Sequence, residues 1–180
     1  MRRIRLAAIA LLIYLTVYGQ GSTQSKLPVP SEQQQFSAED KGVQRPVSIP
    51  DDVLAILAKD KFVQRTVEYE RPIDGKLPAS WFSASAIHLG GPDEIDLVIL
   101  GEGPLGGANV ITFWVFCATP HGYELVLTAP AHDLIVKNTR WKGYRQIEMS
   151  AETAVVFTSV LFRWDGRKYI EFREKSKQIR

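Results

Sequence analysis

The residues able to do chemistry in this chain are few and scattered. Asp93, Glu94 and Asp96 fall within four positions of GGPDEIDLVI, and three carboxylates that close could supply the several oxygens a calcium ion takes. They are the metal candidates. Their spacing lacks the regular alternation of a calcium loop and the glycine that would turn the backbone around the ion. Asp96 also alternates away from the other two if a strand has begun. A solvated turn without metal is therefore expected. His88, His121 and His132 have no metal-like spacing and Cys117 is the single cysteine, so a zinc site would need side chains converging from separate hairpins. GEGPLGGAN at 101–109 has the glycines of a phosphate loop. No Lys-Ser or Lys-Thr follows it, and the next segment reads as a strand, which offers no helix N-terminus to an anion. It is read as a wide strand-to-strand loop. There is no Gly-x-Ser-x-Gly elbow, and Cys117 closes the run FWVFC, which marks a buried thiol. No cofactor and no catalytic residue are expected. The enzymatic alternative is a hydrolase with a site assembled from Asp93, Asp96 and one histidine.

The aromatic side chains form the richer inventory. Trp141 and Trp164 stand in two echoing stretches, WKGYRQIEM and RWDGRKYIEF, each with Trp-x-Gly followed by Ile-Glu and a large apolar residue. Turn-adjacent Trp and Tyr on a sheet can present a platform to a sugar or to a partner's apolar anchor. On this basis Trp141, Tyr144, Arg145, Trp164, Arg167 and Tyr169 are the candidate partner-binding residues, with Arg140 and Arg163 beside them. The competing expectation is that these rings are core. Trp114 and Phe116 are assigned to the core; Trp141 and Trp164 are left open between core and solvent. Asp165-Gly166 between two aromatic runs is a strong hairpin signal. A two-residue turn would set Phe162 opposite Tyr169, and a three-residue turn Leu161, with the faces exchanged between them. WKG and WDG are read as one structural device used twice.

The elements that must position these side chains are mostly strands. Alternating or β-branched runs recur at WFSASAIHL (81–89), IDLVIL (95–100), NVITFWVFC (109–117), GYELVLT (122–128), DLIVK (133–137), YRQIEM (144–149), AVVFTSVLFRW (154–164) and KYIEF (168–172). Phe62–Tyr69 alternates more loosely. Turn-rich segments separate the runs, and no helix-length segment intervenes. The expected fold is mainly β (α+β): an antiparallel meander forming a sandwich, barrel or bent sheet. One short N-terminal helix is expected at SIPDDVLAILAKD, with Ser48 or Asp51 as its cap and Val53, Leu54, Ile56 and Leu57 as its apolar face.

The ends define organisation and compartment. Arg2, Arg3 and Arg5 precede an uncharged stretch from Leu6 to Tyr18 and then Gly19 and Gly21, the order of a secretory signal peptide. The stretch is shorter than the ~18–20 residues that span a bilayer. Residues 1–19 are read as a signal cleaved after Gly19 or Gly21, residues 20–50 as a flexible Gln/Ser/Pro-rich linker, and 51–180 as a single β-rich domain. The product would be periplasmic or secreted; an uncleaved segment anchoring it in the inner membrane is the alternative, and the only expected membrane contact. Without residues 1–19 the chain carries 19 basic and 20 acidic side chains, and nothing points to nucleic acid. The charge is unevenly spread: residues 20–136 hold 8 basic and 15 acidic side chains, residues 137–180 hold 11 and 5. A basic C-terminal segment attracts an anionic polymer or surface, unless folding mixes it with the acidic body.

The run from Asp96 to Tyr169, with IDLVILGEGPLGGAN, FWVF, HGYELVL, KGYR and FRWDGRKY, resembles small exported bacterial proteins of unassigned function. Their C-terminal part is similar to a degenerate FG-GAP-type β-propeller repeat unit, in which an aspartate-rich loop precedes an Asp-Leu-Val strand and an aromatic-Asp-Gly-x-x-Tyr hairpin closes the unit. The acidic loop here departs from that family's Asp-x-Asp-x-Asp-Gly pattern, and one unit cannot close a propeller. The resemblance implies a β-rich interaction module. The functional expectation is an exported non-enzymatic binding protein of the bacterial envelope, inhibitor-like in one version, recognising an envelope protein or an anionic polymer. A structural or assembly component is the third reading.

Overall fold

The computed structural model describes residues 32–39, 42–73, 75–107 and 109–179. The expected signal segment and the first part of the expected linker lie outside them. Among the described residues no helix is long and apolar enough to cross a membrane. In chain order the elements are β1 (Gln35–Ser37), α1 (Asp51–Leu57), α2 (Lys61–Glu70), β2 (Phe82–Ile87), β3 (Asp96–Gly101), β4 (Ile111–Thr119), β5 (Gly122–Ala131), β6 (Asp133–Trp141), β7 (Tyr144–Glu152), β8 (Val156–Trp164) and β9 (Tyr169–Gln178). All strand pairs are antiparallel, and they form two sheets, β2-β3-β4-β5 and β1-β6-β7-β8-β9. The mainly β, antiparallel fold expected from the sequence is observed, as a sandwich with a helical layer.

Alternation explains the three layers. Every residue of β3 is buried. Its Leu97 and Ile99 point to one side, where they join Val53 and Leu57 of α1, Val63 of α2, and Trp114 and Phe116 of β4. Its Val98 and Leu100 point to the other, joining Phe113 and Val115 with Leu134, Ile147, Phe162 and Trp164 of the second sheet. The first sheet therefore lies between the helices and the second sheet. A central strand buried on both faces must be apolar at consecutive positions, as LVIL is. Among the described residues no helix packs on the outer face of the second sheet.

The helical layer corrects two expectations. Among the described residues there are two α-helices, because Phe62–Tyr69 is the body of α2 and not an extended run. Asp60 decides this: its Oδ1 accepts from the backbone N–H of Phe62 at 2.8 Å and of Val63 at 3.2 Å, while its Oδ2 accepts from the Trp114 indole N–H at 3.2 Å. One carboxylate caps the helix and pins it to the sheet beneath. Neither Ser48 nor Asp51 caps α1, whose N-cap is Pro50 without a side-chain bond. Asp52 instead accepts from the Tyr123 N–H at 3.2 Å. Gly122 beside it has φ +117°, and a Cβ there would lie 2.6 Å from Asp52 Oδ2, so only glycine fits this approach.

The expected linker is also corrected. Its residues 35–37 form β1, with Phe36 opposite Leu134 and buried in the core between the sheets. One aromatic ring in a three-residue strand converts the end of the tether into part of the domain. At the other end β9 continues to Gln178, six residues past the expected KYIEF strand.

The two tryptophan hairpins differ. Trp141 pairs with Tyr144 across Lys142-Gly143, both at positive φ (49° and 85°), the signature of a two-residue type I′ turn. Trp164 pairs with Tyr169 across a four-residue loop, so neither anticipated register is adopted. Asp165 sets the loop length by accepting from the N–H groups of Arg167 (2.7 Å) and Lys168 (2.9 Å). Those bonds hold its carboxyl below the usual carboxylate range.

Candidate binding face

Register decides which aromatic side chains are available. Trp164 is only 9% exposed; it stacks on Tyr144 with centroids 4.2 Å apart and meets Tyr169 edge-on at 5.5 Å. Tyr169 is buried and donates its hydroxyl to the Arg145 carbonyl at 2.6 Å, and burial pushes its phenol well above the usual range. Arg145 is buried as well. Its Nε donates to the Lys137 carbonyl (2.9 Å), Nη2 to the Val136 carbonyl (3.0 Å) and Nη1 to Glu32 Oε1 (2.6 Å). It fills the break in the β6–β7 ladder between Val136 and Arg140, where bulged carbonyls need donors. Three of the six candidate binding residues are thus core, and Tyr144 is half-buried against them. Arg167 is exposed but lies elsewhere, lining a cavity of about 550 Å³ with Ile56 and Tyr123.

Trp141 alone of the expected platform presents a ring to solvent, at 45% exposure. Its neighbours define a different site on the outer face of the second sheet. The Arg163 guanidinium lies 4.6 Å from the Trp141 ring centroid and 3.4 Å from that of Phe172. Arg163 is opposite Ile170 in the β8–β9 ladder, so Ile170 shares the face, and both Ile170 and Phe172 are exposed. Buried Nε of Arg163 has no acceptor, and its guanidinium makes no hydrogen bond or ion pair among the described residues.

The same ladder sorts the charges of β9. Arg173 is opposite Leu161, Lys175 opposite Ser159 and Lys177 opposite Phe157, on the face that carries Arg163; Glu171 and Glu174 are opposite Phe162 and Val160, on the other face. Directly paired residues share a face, and a register break between Leu161 and Phe162 keeps this separation. None of the four cations is in an ion pair among the described residues. On neighbouring strands Glu148 is held by Lys137 at 2.9 Å, and Glu152 lies opposite Phe157. Folding pairs Lys137 with Glu148 and Arg145 with Glu32, and leaves Arg163, Arg173, Lys175 and Lys177 together on one face outside any ion pair among the described residues. Arg173, Lys175 and Lys177 escaped the sequence reading because REKSKQ looks like a polar tail; the 11-to-5 charge imbalance was the available signal.

The chemistry-bearing residues are committed elsewhere. Asp96 is fully buried and accepts from the N–H groups of Leu89 (2.7 Å) and Ala118 (2.9 Å). Burial raises its pKa, against these bonds. It faces inward while Asp93 and Glu94 are exposed, so the calcium candidates do not converge. No group of three His, Cys, Asp or Glu among the described residues is placed to hold a metal ion. His88 Nδ1 lies 2.8 Å from Glu32, and His132 bridges Asp133 (3.1 Å) and Glu39 (3.4 Å). Cys117 is buried, and desolvation drives its pKa far above the usual thiol range. Of the carboxylates in the hydrolase alternative, Asp96 is buried and Asp93 exposed. Comparison with protein families, with curated proteins and with solved structures finds no match to this chain.

Proposed function

We propose that the chain is an exported binding module that docks an anionic protein partner on the outer face of its second sheet. One observation carries this reading: Arg163 is held between Trp141 and Phe172 with no hydrogen-bond acceptor of its own. A guanidinium offers paired donors that match a carboxylate, and stacking between rings fixes their direction before a partner arrives. Leaving buried Nε unpaired costs about 1–3 kcal/mol, which the fold tolerates without any visible return from its own core. Exposed Trp141, Ile170 and Phe172 supply apolar contact area, the composition of an interface centre. The basic start of the chain supports export, and the likeness of Asp96–Tyr169 to an FG-GAP-type unit supports an interaction module.

The test is capture from an envelope fraction by the mature domain and by a Trp141→Ala/Arg163→Gln/Phe172→Ala variant, each checked for folding by circular dichroism. A partner held by the native protein, released by salt and lost by the folded variant is the expected result. Equal retention by the folded variant would sink the face assignment. Displacement by any polyanion, with no protein retained, would replace the protein partner by a polymer. Mass measurement of the exported form should give an N-terminus at residue 20 or 22.

A further inference from the structure

We infer that the partner contributes an extended acidic segment that adds to the free edge of β9 as a further strand. This deepens the docking reading above and rests on it. Among the described residues β9 is the last strand of its sheet, ten residues long, and is hydrogen-bonded to β8 alone. An edge strand presents unpaired N–H and C=O groups that template another strand, and strand addition is a general mode of peptide recognition. What selects the occupant is charge. Arg173, Lys175 and Lys177 lie on one face of β9, all exposed and outside any ion pair among the described residues. An added strand runs about 4.8 Å away with its side chains alternating between faces. Carboxylates at every second position of the incoming segment would therefore line up beside the three cations.

The same pattern disfavours a second copy in the register that matches the three cations. Antiparallel pairing of two β9 edges centred on Lys175 would place Lys175 beside Lys175 and Arg173 beside Lys177. Like charges directly opposite destabilise a ladder. The cations thus guard the edge against self-pairing while leaving it open to an acidic strand. Ile170 and Phe172, exposed at the start of β9, offer apolar contact where the added strand would reach Arg163.

The experiment uses the mature chain and a labelled peptide matching β9 in length, with Glu alternating with Thr and Val. Two control peptides have the same composition with the Glu residues clustered, and the same sequence N-methylated at alternate backbone amides. Binding is read by fluorescence anisotropy and by hydrogen exchange of β9. The alternating peptide is expected to bind and to slow exchange in β9; clustering or N-methylation weakens it by about tenfold or more, as does Arg173→Glu/Lys175→Glu/Lys177→Glu. Should that variant fail to fold, Lys175→Gln/Lys177→Gln replaces it and is expected to weaken binding less. N-methylated peptide binding as well as the parent, with β9 exchange unchanged, would overturn strand addition while leaving the anionic docking face standing. Failure of every acidic peptide, together with native capture unaffected by charge reversal, would remove both. Concentration-dependent self-association that protects β9 would overturn the acidic occupant in favour of a second copy.

Discussion

Replacing Trp164 and Trp141 one at a time by alanine separates core from surface in the two hairpins. Trp164→Ala removes a ring that is 9% exposed and packed against Tyr144 and Tyr169. Truncating a buried aromatic of this size costs about 3–5 kcal/mol in lost transfer energy and cavity; the ring pairs, at about 0.5–1.5 kcal/mol each, fall partly within that figure. Trp141→Ala removes a ring at 45% exposure whose ring contact is Arg163, an interaction of about 0.5–1 kcal/mol. In urea unfolding followed by circular dichroism, a slope of about 2 kcal/mol/M converts these losses into midpoint drops of about 2 M and below about 0.5 M. Against a total of about 5–15 kcal/mol, the first variant loses from about a fifth to nearly all of its stability and the second stays nearly native. Equal losses, or a larger loss from Trp141→Ala, would refute the assignment of faces, and the docking surface with it.

Asp60→Ala should destabilise by about 2–3 kcal/mol, since it removes the α2 cap and leaves the buried Trp114 indole N–H without its acceptor; Asp60→Asn should recover most of the cap, and thermal unfolding of the pair measures both. The hydrogen bond with Asp133 raises the His132 pKa above its ordinary 6.5 against the opposing effect of burial, and Glu39 adds to the rise. Its stabilisation is then fully present below pH 6.5 and lost as pH climbs through the raised value. Because the pair is screened by solvent, the native protein should lose no more than about 1 kcal/mol of this contribution between pH 5.5 and 8. His132→Gln should flatten that change in a pH series of urea midpoints.

Strand positions were legible because each apolar run is bounded by residues with a turn preference, and register was not. Trp164 and Tyr169 were found on a hairpin, yet their faces depended on a four-residue loop that Asp165 sets through two backbone bonds. α2 was hidden by its β-branched residues: Val63, Thr66 and Val67 weaken helix propensity, and the cap that favours the helix precedes the run. β1 is too short to alternate, and its single buried ring is flanked by glutamine and serine. Arg163 was noticed as a neighbour of tryptophan, but its pairing with Phe172 depends on the register break in β8–β9, which no local pattern announces. Asp93, Glu94 and Asp96 looked like one cluster because sequence distance conceals the reversal of direction between a turn and the first residue of a buried strand.

The order β1-β6-β7-β8-β9 also sets a reach. β1 and β9 are the opposite borders of one sheet, four strand spacings or roughly 19 Å apart. Residues 35–37 lie along one border, while the border proposed for a partner is the other. Pulling on the two borders would load the ladders between them broadside, in shear or in peeling according to the direction of the force. The sheet would then act as a coupling plate, and its mechanical strength would be set by the weakest ladder between the borders.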